Sequence, residues 1–266
     1  MGLRLVSAPV AQPIDLAEAR LHVRQDITDD DPHILQGIVT ANEAAQVETQ
    51  RSLVAARWKL TLDSPPSGPI LLERGPVFNV ISIKYIDMSG TQQTWAATEW
   101  VADLTTIPAR ITPRFGKDWP ISLPQIGSFE VIFEAGSAAP ITADATADTI
   151  TIKGPWPTLA VGDAARFSNS GGALPAPLAA DTDYYIQSVV SSGVYKVAAT
   201  LGGAAIDLTT AGTCTSFIGE VPAGIKAWML LRLGSLHENR EGDTIARGSE
   251  LSLPYIDRLL DPYRAF

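Results

Sequence analysis

VPAGIKAWMLLRLGSLHENR, residues 221–240, is the stretch whose reading decides the fold. Ile225, Trp228, Met229, Arg232 and Leu236 recur at spacings of three and four, and Leu230, Leu231 and Leu233 widen the stripe. Pro222 stands in the first turn, where its missing N–H costs nothing. The spacing predicts a helix buried on most of its circumference, with Ile225, Trp228, Met229 and Leu236 as its core residues. Such a helix needs partners, and the other helical signals lie at the opposite end of the chain. The expectation is a small helical core closed by its last helix, with β structure threaded between.

Those signals begin with PIDLAEARLHVR, Pro13 to Arg24. Asp15, with Glu18 three residues on, has the form of a capping box, and Leu16, Ala19, Leu21 and Val23 form a short apolar face. An acidic turn follows. Asp31 before Pro32 then reads as the N-cap of a second helix, predicted to run to about Leu53. Its apolar face is Ile34, Leu35, Ile38, Val39, Ala45 and Val47, with Gln36, Asn42, Glu43, Gln46 and Gln50 largely elsewhere. Two amphipathic helices joined by a turn cannot bury their stripes alone, and 221–240 is the best third element.

From Arg57 the period changes to two. Trp58, Leu60 and Leu62 alternate with Lys59 and Thr61. Further strands are predicted at Ile70–Leu72, Val80–Ile86, Thr91–Trp95, Glu99–Asp103, Arg110–Thr112 and Phe129–Glu134, with a hairpin turn at Met88-Ser89-Gly90. Together they make an antiparallel β module over about 57–136. At Ala135-Gly136 the composition shifts. From Ser137 to Gly219 the chain is rich in Ala, Thr, Gly, Ser and Pro and poor in charge. Strands are expected there at Thr149–Lys153, Ala164–Ser168, Asp183–Val190, Gly193–Ala199 and Thr213–Ile218, forming a small sandwich or barrel. Low charge also suits a linker, but the Tyr184-Tyr185-Ile186 and Val194-Tyr195 alternation favours an ordered domain. The predicted class is α+β: two N-terminal helices plus a C-terminal helix, an antiparallel β module, and an inserted all-β domain. The division is 1–136 with 220–266 as one body, carrying a C-terminal tail at 243–266, and 137–219 as the insertion.

The chain has 266 residues, 45% of them hydrophobic, and a formal net charge of −9. That balance argues against capture of nucleic-acid phosphates, which needs clustered Lys and Arg. It suits a surface past which DNA slides without sticking, though its plainer meaning is solubility. Arg51, Arg57, Arg74, Arg110 and Arg114 are scattered, with Phe115 and Trp119 near two of them, and form no dense basic stripe. One cysteine, Cys214, allows no internal disulfide. No signal-peptide core, myristoylation pattern or membrane-length apolar run appears, so a soluble, non-secreted protein with no membrane contact is expected.

No catalytic, cofactor or metal constellation stands out, and an enzyme is not expected. His22, His33 and His237 include no i, i+4 pair, and residues 237–241 are not HExxH. Asp29-Asp30-Asp31 reads as a helix start favoured by the macrodipole rather than a cation site. Asp181 and Asp183 belong to a turn, with no EF-hand loop following. Cys214 lies in a Thr-rich predicted strand without a basic neighbour. The tail is more distinctive. Tyr255, Ile256, Leu259, Leu260 and Tyr263, beside Arg258 and Arg264, form a set of apolar anchors. They suit a segment that folds onto a partner, or one that packs on its own domain.

In their order, these pieces resemble the gp6-like head–tail connectors, also called adaptor or head completion proteins, of tailed bacteriophages. The resemblance is carried by residues 13–51, the Trp58 strand, ILLERGPVFNVISIKYIDMSG, VIFEAG and VPAGIKAWMLLRLGSLHENRE. Within them fall Arg51-Ser52-Leu53, Leu72-Glu73-Arg74-Gly75-Pro76, and the hairpin of Tyr85, Asp87 and Gly90. They span about two thirds of the chain. The departure is Ser137–Gly219, where the family pattern runs almost directly from Ala-Gly into Val-Pro. The resemblance implies a virion protein at the head–tail neck, assembled in the host cytoplasm. It implies a ring of about twelve copies stacked under the portal, extending the DNA channel and carrying the stopper or tail. It also implies portal docking through the C-terminal segment, carried onto Tyr255, Ile256, Leu259, Leu260, Tyr263 and Arg264. DNA would pass without specific binding, and no cofactor is implied. The rival reading is a host-surface or carbohydrate-binding module of a phage tail, using Trp156, Tyr184, Tyr185 and Tyr195 of the insertion as a sugar platform.

Overall fold

The computed structural model describes residues 2–238 and 255–264. The class is α+β. Three helices form the helical core: α1 (Leu16–Val23), α2 (Asp31–Thr49) and α3 (Ala223–Glu238). The stop expected for α3 at 241–242, and tail residues 243–254, lie outside the described residues.

Asp15 caps α1, its side chain accepting from the Ala17 N–H. The capping box is not completed. The Asp15 N–H donates to Ser170 O, and Glu18 pairs with Lys226 of α3 at 3.2 Å. Leu21 points outward, 81% exposed, so the face of α1 is narrower than predicted. The N-cap of α2 is Asp30, one residue before the expected Asp31, which instead pairs with Arg20 of α1. The helix ends at Thr49, short of Leu53, because Gln50 turns into the left-handed region (φ 53°). Leu35 and Val47 are exposed, while Asn42, expected outside, is buried. It donates to Gln12 Oε1 at 2.7 Å and accepts from Gln46 at 3.3 Å, which satisfies the buried amide.

In α3, Ile225, Trp228 and Met229 are buried as expected, but Leu233 joins them and Leu236 is only half-buried. Arg232, placed in the stripe by spacing, is exposed. A Cβ at Gly37 of α2 would sit 2.5 Å from Leu233, so the glycine is what lets α2 and α3 pack closely. Phe217, Ala138, Leu53, Val54 and Leu260 complete this core. The surplus apolar surface of α3 is therefore covered by β structure after residue 137 and by the tail, not by the first β module.

That module pairs a five-stranded antiparallel sheet with a three-stranded one. The strands are β1 (Gly2–Ser7), β2 (Ala56–Leu62), β3 (Ile70–Leu72), β4 (Val77–Ile86), β5 (Gln92–Trp95), β6 (Trp100–Asp103), β7 (Ala109–Pro113) and β8 (Phe129–Ala135). The orders are β1-β2-β8-β4-β5 and β3-β7-β6. Strand β1 was not expected. It pairs with β2 from Gly2↔Thr61 to Ser7↔Arg57 and forms one edge of the sheet. Leu60, Leu72, Ile83, Ile111, Phe129, Val131 and Phe133 fill the space between the sheets.

The remaining strands are β9 (Ala138–Asp144), β10 (Thr149–Ile152), β11 (Ala164–Ala165), β12 (Phe167–Asn169), β13 (Tyr184–Ser191), β14 (Val194–Ala198) and β15 (Ser216–Gly219). They form one sheet, ordered β11-β13-β14-β10-β9-β15-β12. Its two edge strands are separated in sequence by Arg166 alone, so the sheet curls until its edges meet and forms a nearly closed barrel. Strand β9 was not expected, and Cys214 lies before β15 rather than within a strand. Side chains alternate across β15: Phe217 enters the helical core and Ile218 the barrel interior. Strands β9 and β15 are thus a wall shared by two cores. Ala55 N donates to Ala138 O at 2.8 Å, which joins the barrel to the start of β2.

Candidate assembly surfaces

The tail segment is folded back on the helices. It consists of the short helix α4 (Tyr255–Arg258) and a 3-10 turn at Asp261–Tyr263. Leu260 is fully buried in the helical core, and Ile256, Leu259 and Tyr263 are half-buried against it. Leu260 thus packs on the chain's own helical core, as the second of the two readings of the tail has it. The side chain of Tyr255 lies outside the described residues. Three polar contacts fix the segment. Trp228 Nε1 donates to Asp257 Oδ1 at 3.2 Å, Arg51 Nε donates to Tyr263 O at 2.6 Å, and Arg264 reaches Glu48 at 3.3 Å. Burial pulls the Arg51 guanidinium below its ordinary pKa. Gly224 makes room for the turn, since a Cβ there would meet the Tyr263 ring at 2.8 Å.

The arginines are largely spent inside the chain. Arg57 pairs with Glu134 at 2.7 Å, and Arg110 with Asp103 at 2.6 Å. Arg74 lies over the Trp58 ring and donates to Gln46 O. Arg51, Arg74 and Arg114 make no ion pair among the described residues, and the Arg114 side chain has only a 3.5 Å approach to Trp100 O. Among the described residues no phosphate-binding stripe is assembled.

The sugar platform is not assembled either. Tyr184 and Tyr195 are buried in the barrel, their hydroxyls accepting from Ala179 N at 2.8 Å and Leu159 N at 3.4 Å. Trp156 packs on Phe78 with ring centroids 5.6 Å apart, and Tyr185 is half-buried. His33 and His237 approach to 6.1 Å between ring centroids and line a groove of about 170 Å³ with Leu236. Among the described residues no three His, Cys, Asp or Glu side chains form a metal-sized group, and no helix is long and apolar enough to cross a membrane.

Two surface features escaped the sequence reading. The first is the β7–β8 loop, residues 114–128. Trp119 anchors it, 5.1 Å from Trp95 of edge strand β5 and 6.0 Å from Phe129. Beyond that anchor Phe115 is fully exposed, Ile121 is 79% exposed and Ile126 is 92% exposed. Their signal was available: apolar residues in a Pro- and Gly-rich stretch with no period have no stripe to join. The second is a groove of about 400 Å³ at the other edge of the same sheet. Leu5, Pro9, Val39, Val47 and Trp58 line it, with Glu43 beside them. It had no signal of its own, because β1 creates it.

The Tyr85, Asp87, Gly90 hairpin closes as a polar knot. Asp87 accepts from Ser89, Gln93 and Thr91, which holds its carboxyl down at about 2. Asp103 is held well below the carboxylate range by Thr105 and Arg110.

No protein-family model matches the chain, and no curated protein does. Solved structures do resemble it. A chain from the virion of a native gene transfer agent particle is 17% identical, with TM-score 0.58 over 100% of this chain and 96% of that one. A chain from the neck of an empty particle of that kind, computed with C6 symmetry, is 18% identical at TM-score 0.56. One from the neck of a native particle computed with C12 symmetry is 17% identical at 0.55, each with the same coverage. The full coverage takes in the barrel as well as the helical core and the β module. At this identity the likeness establishes the fold: this chain has the architecture of those virion and neck chains.

Proposed function

We propose that the chain is a structural component of the neck of a phage-like particle, without catalytic function, acting as a ring between portal and stopper or tail. The observation that carries this is the shared fold over 100% of the chain with chains from the virion and necks of gene transfer agent particles. Those necks were computed with C6 and C12 symmetry. A ring of this chain follows by analogy, with about twelve copies as the first expectation. Membership of the gp6-like connectors rests on the motif order described above. The net charge of −9 and the internal use of the arginines suit a channel wall that DNA passes without being held. In this reading 137–219 is an inserted domain sharing its wall with the connector core. Half-buried Ile256, Leu259 and Tyr263 remain within a portal's reach while Leu260 stays in the core.

Electron microscopy of the full chain, alone and mixed with the portal of its particle, tests the proposal. Rings seated on one end of the portal are the expected result. A chain that stays monomeric in both samples overturns it.

A further inference from the structure

We infer that the exposed loop of Phe115, Ile121 and Ile126 docks into the Leu5–Val47–Trp58 groove of a second copy of this chain, and that repetition of this contact links the copies in a row. The inference rests on the ring proposed above and names the surfaces that would build it. A ring of more than two copies is heterologous: each copy must offer two different, complementary patches. The chain has such a pair on one rigid element. The loop is pinned at the β5 edge of the five-stranded sheet by the Trp119–Trp95 contact. The groove is built at the β1 edge of that sheet, where Trp58 faces Leu5 across the β1–β2 pair. One patch protrudes and the other is concave. The loop presents exposed Phe115, Ile121 and Ile126, and the groove offers exposed Leu5 and Val47 beside half-buried Trp58, with polar residues among its lining.

Charge sets the pairing further. Each copy carries −9, so two copies repel unless contact surfaces oppose that charge locally. Beside Phe115 stands Arg114, with no ion pair among the described residues, while neighbouring Lys117 is already held by Glu99 at 3.0 Å. Asp118 is also on the loop. At the groove stand Glu43, likewise without an ion pair among the described residues, and Arg74, whose guanidinium lies over the Trp58 ring and donates to Gln46 O. Seating Phe115 among Leu5, Val47 and Trp58 brings Arg114 to the Glu43 side. The aromatic is the anchor and the ion pair fixes register.

The test uses the full chain carrying C214A, since Cys214 is exposed. D118C on the loop and A8C at the groove rim, which leave Phe115 and its seat intact, are introduced singly and together, and each protein is treated with a short bis-maleimide at its highest soluble concentration. The double variant is expected to give a ladder of dimer, trimer and larger products, and each single variant no more than dimer. A double variant that yields nothing beyond its single parents overturns the docking. A second arm guards against local distortion. R114E and E43R are each expected to reduce self-association at least about tenfold, and together to restore it; failure of the pair to restore it also counts against the contact. The two readings separate cleanly. Rings in micrographs without a ladder leave the ring standing and reject this contact. A ladder whose products run on as open filaments keeps the contact and rejects the closed ring.

Discussion

At the scale of single residues, the tail shows how little an anchor's chemistry says about what it anchors to. Leu260 is fully buried among Ile225, Trp228 and Met229. Truncation to alanine removes its transfer energy and leaves a cavity, so L260A should cost about 2–5 kcal/mol in urea unfolding of the full chain, well above I256A at its half-buried neighbour. A cost within about 0.5 kcal/mol of zero would mean the tail is not part of the core in solution. Asp87 is a different kind of anchor. Its folded pKa, about 2, lies below the ordinary 3.8, so the hairpin gains stability from the ionised form. That contribution is fully present above about pH 4 and is lost as the pH falls toward 2. Wild type should therefore exceed D87N in urea midpoint at pH 6, with the gap closing by pH 2. A gap that persists in acid sinks the assignment.

At the scale of elements, close approach and buried charge decide more than propensity. Gly136 links β8 to β9, and a Cβ there would lie 2.5 Å from the backbone N of Ala55. Backbone cannot step aside as a side chain can. G136A should therefore cost about 2 kcal/mol or more, while G68A, with nothing within 4 Å of its Cβ, should be nearly neutral by the same thermal melt. On β8 itself, Glu134 is 6% exposed and bonded by Arg57 and by Asn79 at 2.9 Å. E134A leaves Asn79 and Arg57 short of an acceptor and should cost about 1–3 kcal/mol, against less than about 1 for E130A, whose pair with Lys59 is partly solvated. These elements also mark how far periodicity reaches. Helix existence and most strands follow from local spacing, because a stripe of three or four apolar residues has few other uses. Which side of α3 faces inward does not: Arg232 fits the stripe by spacing and Leu233 by packing, and Phe217 and Leu260 decide between them from far along the chain. Strand β1 has one apolar alternation and no turn signal before it, so only its pairing with β2 reveals it. The groove at its edge was illegible for the same reason. The β7–β8 loop, by contrast, could have been flagged from the unplaced Phe115 and Ile126.

For the whole molecule, the question is whether the barrel can be removed. A connection between Ala135 and Val221 is short in space, which makes excision of 137–219 look harmless on paper. The shared wall says otherwise. Phe217 on β15 and Ala138 on β9 belong to the helical core, and Asp15 at the start of α1 donates to Ser170 of the barrel. Excising 137–219 empties the Phe217 site, a loss of about 3–5 kcal/mol by analogy with Phe-to-Ala changes in cores, before the Asp15 bond is counted. That is a large part of the stability of an ordinary domain. A milder excision keeps the wall. Removing 142–215 and joining Ile141 to Ser216 through Asn-Gly preserves the paired stubs Ala138–Ile141 and Ser216–Gly219, whose register already places Ile141 opposite Ser216. A two-residue turn of that composition suits such a hairpin. The second variant should unfold cooperatively, keep Phe217 in place and lose only about 1 kcal/mol per severed hydrogen bond from the helical core. The first should be unfolded or markedly less stable. Equal stability of the two in urea would show that Phe217 contributes nothing to the core, and that the barrel is an appendage rather than a body sharing its wall.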